Sequence, residues 1–233
     1  MNSLILKNEN GYIEDKSVLN HIQTILKLKI GDEVRCIILN RGQAIGTVLE
    51  IGSTYCKLAI GAISKKETPW FDLIVGLSRP QTSKKILEHA TTFGARKFHF
   101  FKATLSEKSY LDSKIFENQV YEEFLLAGLS QASIYSVLPE FKLDKYNPAE
   151  QYTQAPQKYI LDLKADKSFL EAPIDFTQPI TLAIGPERGW IEEDLAHFHS
   201  AGFTSIKISS SILRVEHAVY SAISQLELLR SRF

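Results

Sequence analysis

The chain has 233 residues, 44% hydrophobic and 23% charged, with 27 lysines and arginines against 27 aspartates and glutamates. That length and composition suit one large or two modest folded domains, and a formal net charge of zero excludes the overall basic field that attracts nucleic acid or anionic membranes. One local excess stands out: from Arg79 to Lys108, seven lysines and arginines face only Glu88 and Glu107, which makes either a solvated face or an anion-binding surface.

The opening stretch "MNSLILKNENGYIED" has no basic start leading into a sustained apolar core, so it does not read as a secretory signal. No apolar run approaches the roughly 20 residues that span a bilayer, and the expectation is a cytoplasmic protein without a membrane partner. Cys36 and Cys56 lie in apolar stretches with no CxxC spacing, so buried free thiols are expected, and no metal.

Three short strands are predicted near Glu33 to Leu39, Ala44 to Ile51 and Tyr55 to Ala59, suggesting a small antiparallel sheet or barrel. "SKKETPWF", Ser64 to Phe71, breaks this pattern with charge and proline, and the predicted domains are 1–68 and 69–233. Beyond it "DLIVGL" is an apolar run of buried-strand length. Thr82 or Ser83 is positioned to cap a helix that reaches Phe93 and stops at Gly94. "KFHFF" reads as a strand, a long helix is predicted from about Ser113 to Leu129, and further strands at "KYILDL", "ITLAI" and "SIKI". A helix between the last two carries Glu192, Glu193 and Asp194 in its first turn, where they complement its dipole. Alternating strands and helices predict an α/β domain with a mainly parallel sheet covered on both faces. The final helix carries an apolar stripe, Val215, Ala218, Val219, Ala222, Ile223, Leu226 and Leu229, which must cover either the chain's own sheet or a second subunit.

Ligands of open α/β sheets bind beyond the carboxyl ends of the strands. "ITLAIGPERG" leaves such an end through Gly185, Pro186 and Gly189: glycine admits a ligand to the backbone and proline stiffens the turn. Alone, such a turn is more often structural than ligand-binding. A second loop, "SIKISSSILRVEHA", leaves the next strand into the final helix.

Together "IGPERGW" at 184–190 and "ISSSILRVEHA" at 208–218 resemble the two loops of the RsmE-type proteins, the ribosomal small-subunit methyltransferase E family of the SPOUT superfamily. That family carries Gly-Pro-Glu-Gly-Gly-Phe and, one strand later, Leu-Gly-x-x-Ile-Leu-Arg-x-Glu-Thr-Ala. "LSRP" at 77–80, "ATTFGARKFHFF" at 90–101 and "LSEKS" at 105–109 match further family stretches in order, so the resemblance spans most of the chain. It implies a SPOUT-type parallel sheet with a C-terminal trefoil knot, preceded by a PUA-like β-barrel RNA-binding domain. It also implies a homodimer packed through the C-terminal helix, S-adenosylmethionine as cofactor, and methylation of N3 of a uridine in small-subunit rRNA. The implied cofactor residues are Leu163, Ile184, Gly185, Pro186, Glu187, Gly189, Ile208, Ser209, Ile212, Leu213 and Arg214. The basic residues assigned to RNA are Arg79, Lys84, Lys85, Lys108 and Arg188, with blocking the cofactor loop or gripping the cofactor carboxylate left open for Arg188, and Arg79, Glu187 and Arg214 are the candidates for a catalytic role.

The departures fall in the same loops. Arg188 and Ser209 stand where the family has glycine, Thr82 and His89 where it has lysine, and His217 where it has threonine; a Gly-Arg pair is lost within "GLSQASIYSVLPE", although Gln131, Pro139 and Glu140 are retained. Two readings compete: a divergent methyltransferase, or an RNA-binding assembly protein of the same fold that binds the cofactor poorly. Retention of Gly-Pro-Glu in one loop and Ile-Leu-Arg-x-Glu in the other favours activity. A dinucleotide-using enzyme is disfavoured, because no GxGxxG follows a predicted strand. His197 and His199 are two apart on a helix, face different directions, and read as surface residues. Trp70 and Trp190 are expected in the core or an interface.

Overall fold

The computed structural model describes residues 3–65 and 67–232. Contacts divide the chain into two units, Met1–Thr68 with Leu129–Leu138 and Pro69–Gly128 with Pro139–Phe233. The segment Leu129–Leu138 lies within the second half of the sequence yet packs with the first unit: Ser130 donates its hydroxyl to the Ser3 carbonyl, and the Asn40 amide donates to the Ser136 carbonyl at 2.8 Å.

The first unit holds strands β1 (Leu4–Leu6), β2 (Tyr12–Ile13), β3 (Glu33–Ile38), β4 (Gly42–Ile51) and β5 (Cys56–Ile60), with a short helix α1 (Lys16–Asn20) capped by the Asp15 carboxylate. The sheet order is β1-β3-β4-β5-β2, antiparallel except for β1 beside β3. Alternation along β4 and β5 puts Ala44, Val48, Cys56 and Leu58 inward, where they meet Leu4, Leu6, Ile22 and Cys36. β1 and β2 are too short to leave a periodic trace in sequence, and the structure adds them to the three expected strands.

The second unit is built on six strands: β6 (Phe71–Gly76), β7 (Ala95–Phe101), β8 (Glu140–Asp144), β9 (Gln157–Leu161), β10 (Ile180–Ile184) and β11 (Thr204–Ile206). Their order is β11-β9-β10-β6-β7-β8 and every pairing is parallel. Parallel strands require crossover connections, and helices α2 (Pro80–Thr92), α3 (Tyr121–Ala132) and α4 (Glu192–Ser200) lie in those from β6 to β7, β7 to β8 and β10 to β11. The central β10 is buried at all five positions, as a strand covered on both faces must be.

Three expectations are corrected. α2 is not capped by Thr82 or Ser83; Arg79 is its first flanking residue, Pro80 occupies the first turn, and the Arg79 carbonyl accepts from the Thr82 and Ser83 amides. The long helix begins at Tyr121 rather than Ser113, because Asn118 and Gln119 adopt positive φ (47° and 61°) and separate it from a single 3₁₀ turn at Lys114–Phe116. β8, absent from the predicted strands, alternates Phe141 and Leu143 with Glu140, Lys142 and Asp144, none of them fully buried.

Helix α5 (Val215–Arg230) settles its own stripe: Val215, Val219, Ala222, Ile223 and Leu226 are buried, packed toward α2 and β10 of the same unit. No second subunit is needed to cover it. No helix among the described residues is long and apolar enough to cross a membrane.

Candidate active site

The strands deliver three loops to one place. A cleft of about 390 Å³ opens beyond the carboxyl ends of β9, β10 and β11, lined by Leu161–Lys164, Ile184–Trp190 and Ile208–Leu213 segments, and closed by Val215 and Ala218 of α5. Its size lies within the range of small-molecule sites. Leu163 and Ile212, 47% and 84% exposed, contribute aliphatic surface to it.

The β10 loop is shaped by close approach. A Cβ on Gly76, at the end of β6, would lie 2.6 Å from Pro186 Cδ, so only glycine lets the loop sit down on the sheet. Pro186 to Gly189 forms a tight turn closed by the Gly189 amide donating to the Pro186 carbonyl at 2.8 Å, with Gly189 at φ +72°. Trp190 then stacks on Phe101, 6.0 Å between centroids, and donates its indole N–H to the Leu161 carbonyl at 3.1 Å. One side chain thus fastens the β10 loop to the end of β9. Trp70, also expected to be interior, is buried and donates to the Phe93 carbonyl.

Glu187 turns away from the turn and accepts the Arg79 amide at 2.7 Å. This joins the β10 loop to the connection between β6 and α2. Tyr110 lies in the field of the same groups: burial, together with the Glu187 and Glu107 carboxylates, raises its hydroxyl above the ordinary range against the opposing pull of Arg79. Arg79 is therefore held by its backbone amide, with Tyr110 nearby.

In the second loop, Ser209 Oγ accepts the Ser211 amide at 3.0 Å, and Gln225 of α5 donates to the Ile208 carbonyl at 2.9 Å. Neither Arg188 nor Ser209 has a positive φ. Both therefore occupy backbone positions that any residue tolerates, and their replacement of glycine leaves the loop conformation intact.

Of the eleven residues assigned to a cofactor, ten line the cleft: Leu163, Ile184, Gly185, Pro186, Glu187, Gly189, Ile208, Ser209, Ile212 and Leu213. Arg214 does not; it is exposed and flanks the start of α5. Arg188, assigned to RNA, lines the cleft instead. Among the remaining basic residues, Lys85 pairs with the buried Glu216 at 3.4 Å and Lys84 lies 5.2 Å from the centre of the Phe124 ring. Lys108 is exposed near Tyr110, and His197 and His199 are surface residues, the latter meeting Ser205. Asp162, Lys164 and Leu195 also line the cleft and were not singled out, and Trp190 and Glu192 line it too, having been read as a core or interface residue and as a partner of the helix dipole. For Asp162 and Lys164 the signal is β9 itself: its parallel pairing with β10 brings its exit beside the Gly-Pro-Glu loop.

A family model described as an RNA methyltransferase domain matches residues 65–227. The chain is 29% identical over 207 residues to ribosomal RNA small subunit methyltransferase E 1 of Borreliella burgdorferi, covering 87% of this chain and 86% of that one. It is 27% identical to the methyltransferase E of Treponema pallidum, covering 87% and 79%. A crystal structure of ribosomal RNA small subunit methyltransferase E from Neisseria gonorrhoeae, bound to S-adenosyl methionine, superposes with a TM-score of 0.82 over 98% of each chain at 16% identity. The second unit has the α/β SPOUT fold and the first is a small, curled β sheet of barrel type. On the family match over residues 65–227, the chain belongs to the RNA methyltransferase domain family.

Proposed function

We propose that this protein is an S-adenosylmethionine-dependent methyltransferase of small-subunit rRNA, acting on N3 of a uridine. The observation that carries this reading is the cleft where three parallel strands end, walled by the Gly-Pro-Glu loop and by Ile212 and Leu213 of the second loop, and closed by α5. The cleft fits the cofactor: apolar walls from Ile184, Ile208 and Leu213 suit a purine, and Gly185, whose Cβ would come within 3.3 Å of Trp190, keeps the floor open. When bound, the sulfonium supplies an activated methyl group that needs no further activation.

The protein's share is placement and charge. Uracil N3 becomes nucleophilic as it loses its proton, and the negative charge spreads to the flanking oxygens. Arg79, fixed through its amide by Glu187, is the cation suited to stabilise that charge. Glu187 positions it. Arg214, exposed and outside the cleft, is assigned to rRNA phosphate together with Lys108. Lys84 and Lys85 add to the basic residues of the second unit, and the first unit is read by itself as an RNA-gripping module. A homodimer through exposed parts of α5 such as Leu228, 62% exposed, and a cytoplasmic location complete the reading.

Titration calorimetry tests it. About one S-adenosylmethionine should bind per chain, and Gly185→Val, which drives a branched side chain toward Trp190, should abolish binding while the protein stays folded. Methyl transfer to 16S rRNA should follow in the same preparation. Salt-sensitive rRNA binding with no cofactor binding at millimolar concentration would instead support a non-catalytic RNA-binding protein.

A further inference from the structure

Five charged residues line the otherwise apolar cleft: Asp162, Lys164, Glu187, Arg188 and Glu192. Two of the acids have backbone partners, Asp162 on the Lys164 amide at 2.9 Å and Glu187 on the Arg79 amide. Arg188 and Glu192 are different. They are four residues apart on the stiff Pro186–Gly189 turn and the first residue of α4, both exposed and both facing the cleft. Among the described residues neither forms an ion pair, with each other or with anything else. The lining of an apolar pocket thus includes a cation and an anion for which no ion pair forms among the described residues. That is the complement of a zwitterion.

We propose that Arg188 and Glu192 grip the amino-acid end of the methyl donor, the guanidinium taking the α-carboxylate and the Glu192 carboxylate taking the α-ammonium. This rests on the cofactor reading above and adds the recognition that the Gly-Pro-Glu-Gly form of the loop lacks. A guanidinium matches a carboxylate with two parallel hydrogen bonds, and Arg188 projects from a turn already rigid, so little ordering is lost on binding. The third such charge, Lys164, sits on a loop and offers only a point charge. An rRNA phosphate is a poorer occupant, because the cleft lining carries three carboxylates, Asp162, Glu187 and Glu192, against two cations, and this balance disfavours a polyanion.

The test compares two thioethers that differ only in the amino-acid group: S-adenosylhomocysteine, which has it, and 5′-methylthioadenosine, which does not. Calorimetry is run on the full chain and on Arg188→Gln, Glu192→Gln and Lys164→Gln, each first checked for an unchanged thermal melt. Arg188→Gln and Glu192→Gln should each weaken S-adenosylhomocysteine by about 10-fold, the loss of one charge-assisted contact. Neither should alter 5′-methylthioadenosine, and Lys164→Gln should alter neither ligand. Equal weakening of both thioethers would mean that the turn, not the charge, was disturbed, and would overturn the proposal. So would unchanged thioether binding with weakened binding of an rRNA fragment, or a selective loss in Lys164→Gln alone. Failure of the unaltered protein to bind S-adenosylhomocysteine would overturn the cofactor reading itself, whereas binding indifferent to Arg188 and Glu192 overturns only their role.

Discussion

At the scale of single residues, the site depends on small side chains and on one carboxylate. Gly76→Ala places a Cβ 2.6 Å from Pro186 Cδ, and neither the strand end nor the proline can give way cheaply. A stability loss of about 1–3 kcal/mol is expected from such overpacking, with a weaker cofactor affinity, read by melting and calorimetry together. Glu187→Ala leaves the fold in place but releases the Arg79 amide. It should lower kcat by about 10–100-fold with a smaller change in cofactor affinity, as expected for a contact that orients a transition-state stabiliser; equal loss in both would assign Glu187 to cofactor binding. Cys36 offers a negative control. Burial pushes its thiol up to about 11, and both cysteines are fully inaccessible, so neither should react with a thiol reagent at pH 8 until the first unit is unfolded. The loop residues were legible in the sequence because Gly-Pro-Glu and Ile-Leu-Arg keep their spacing. The role of Arg188 was not, since nothing in a linear string says which wall of a cleft a side chain lines.

At the scale of elements, helices were legible where the apolar stripe was long. The stripe of α5 gave that helix directly, but it could not say what the helix covers, and the answer is its own α2 and β10. β8 was passed over although Phe141 and Leu143 alternate with Glu140, Lys142 and Asp144, because two apolar residues on a short edge strand are a weak signal. α3 was drawn too long because positive φ at Asn118 and Gln119 is a local backbone choice that periodicity does not record. Within the second unit α3 meets α2 at Gly128, where a Cβ would lie 2.0 Å from the Glu88 carbonyl, and where the Thr92 hydroxyl donates to the Gly128 carbonyl at 3.2 Å. Gly128→Ala must push the helices apart, and a destabilisation of about 3 kcal/mol is expected in chemical unfolding. A neutral substitution there would mean that the crossing is looser than the backbone approach indicates.

For the molecule as a whole, stability should depend on a buried histidine. His99 lies in β7 with its ring fully enclosed, 2.9 Å from Asp144 of β8 and 3.0 Å from the Tyr152 hydroxyl. One arrangement satisfies every partner: Nε2–H donates to Asp144, and Nδ1 accepts from the tyrosine. Burial is the main cause that holds this histidine below its ordinary value of 6.5, with the Asp144 carboxylate opposing and Lys142 and Lys97 adding to the depression. A depressed histidine stabilises the fold fully above its unfolded-state value and loses that contribution as pH falls through the folded-state value, because the unfolded chain then binds more protons. The melting temperature should therefore decline as pH drops below about 6.5. His99→Gln should start lower and show a flatter decline over the same interval; an equal slope in both proteins would place the sensitivity elsewhere.

The central claim, that this chain methylates a uridine of small-subunit rRNA, is tested most directly by mass spectrometry of nucleosides from 16S rRNA of cells with and without the protein. The account predicts N3-methyluridine in the first and its loss in the second, restored by the unaltered chain but not by Gly185→Val. An identical nucleoside profile in both strains would contradict it.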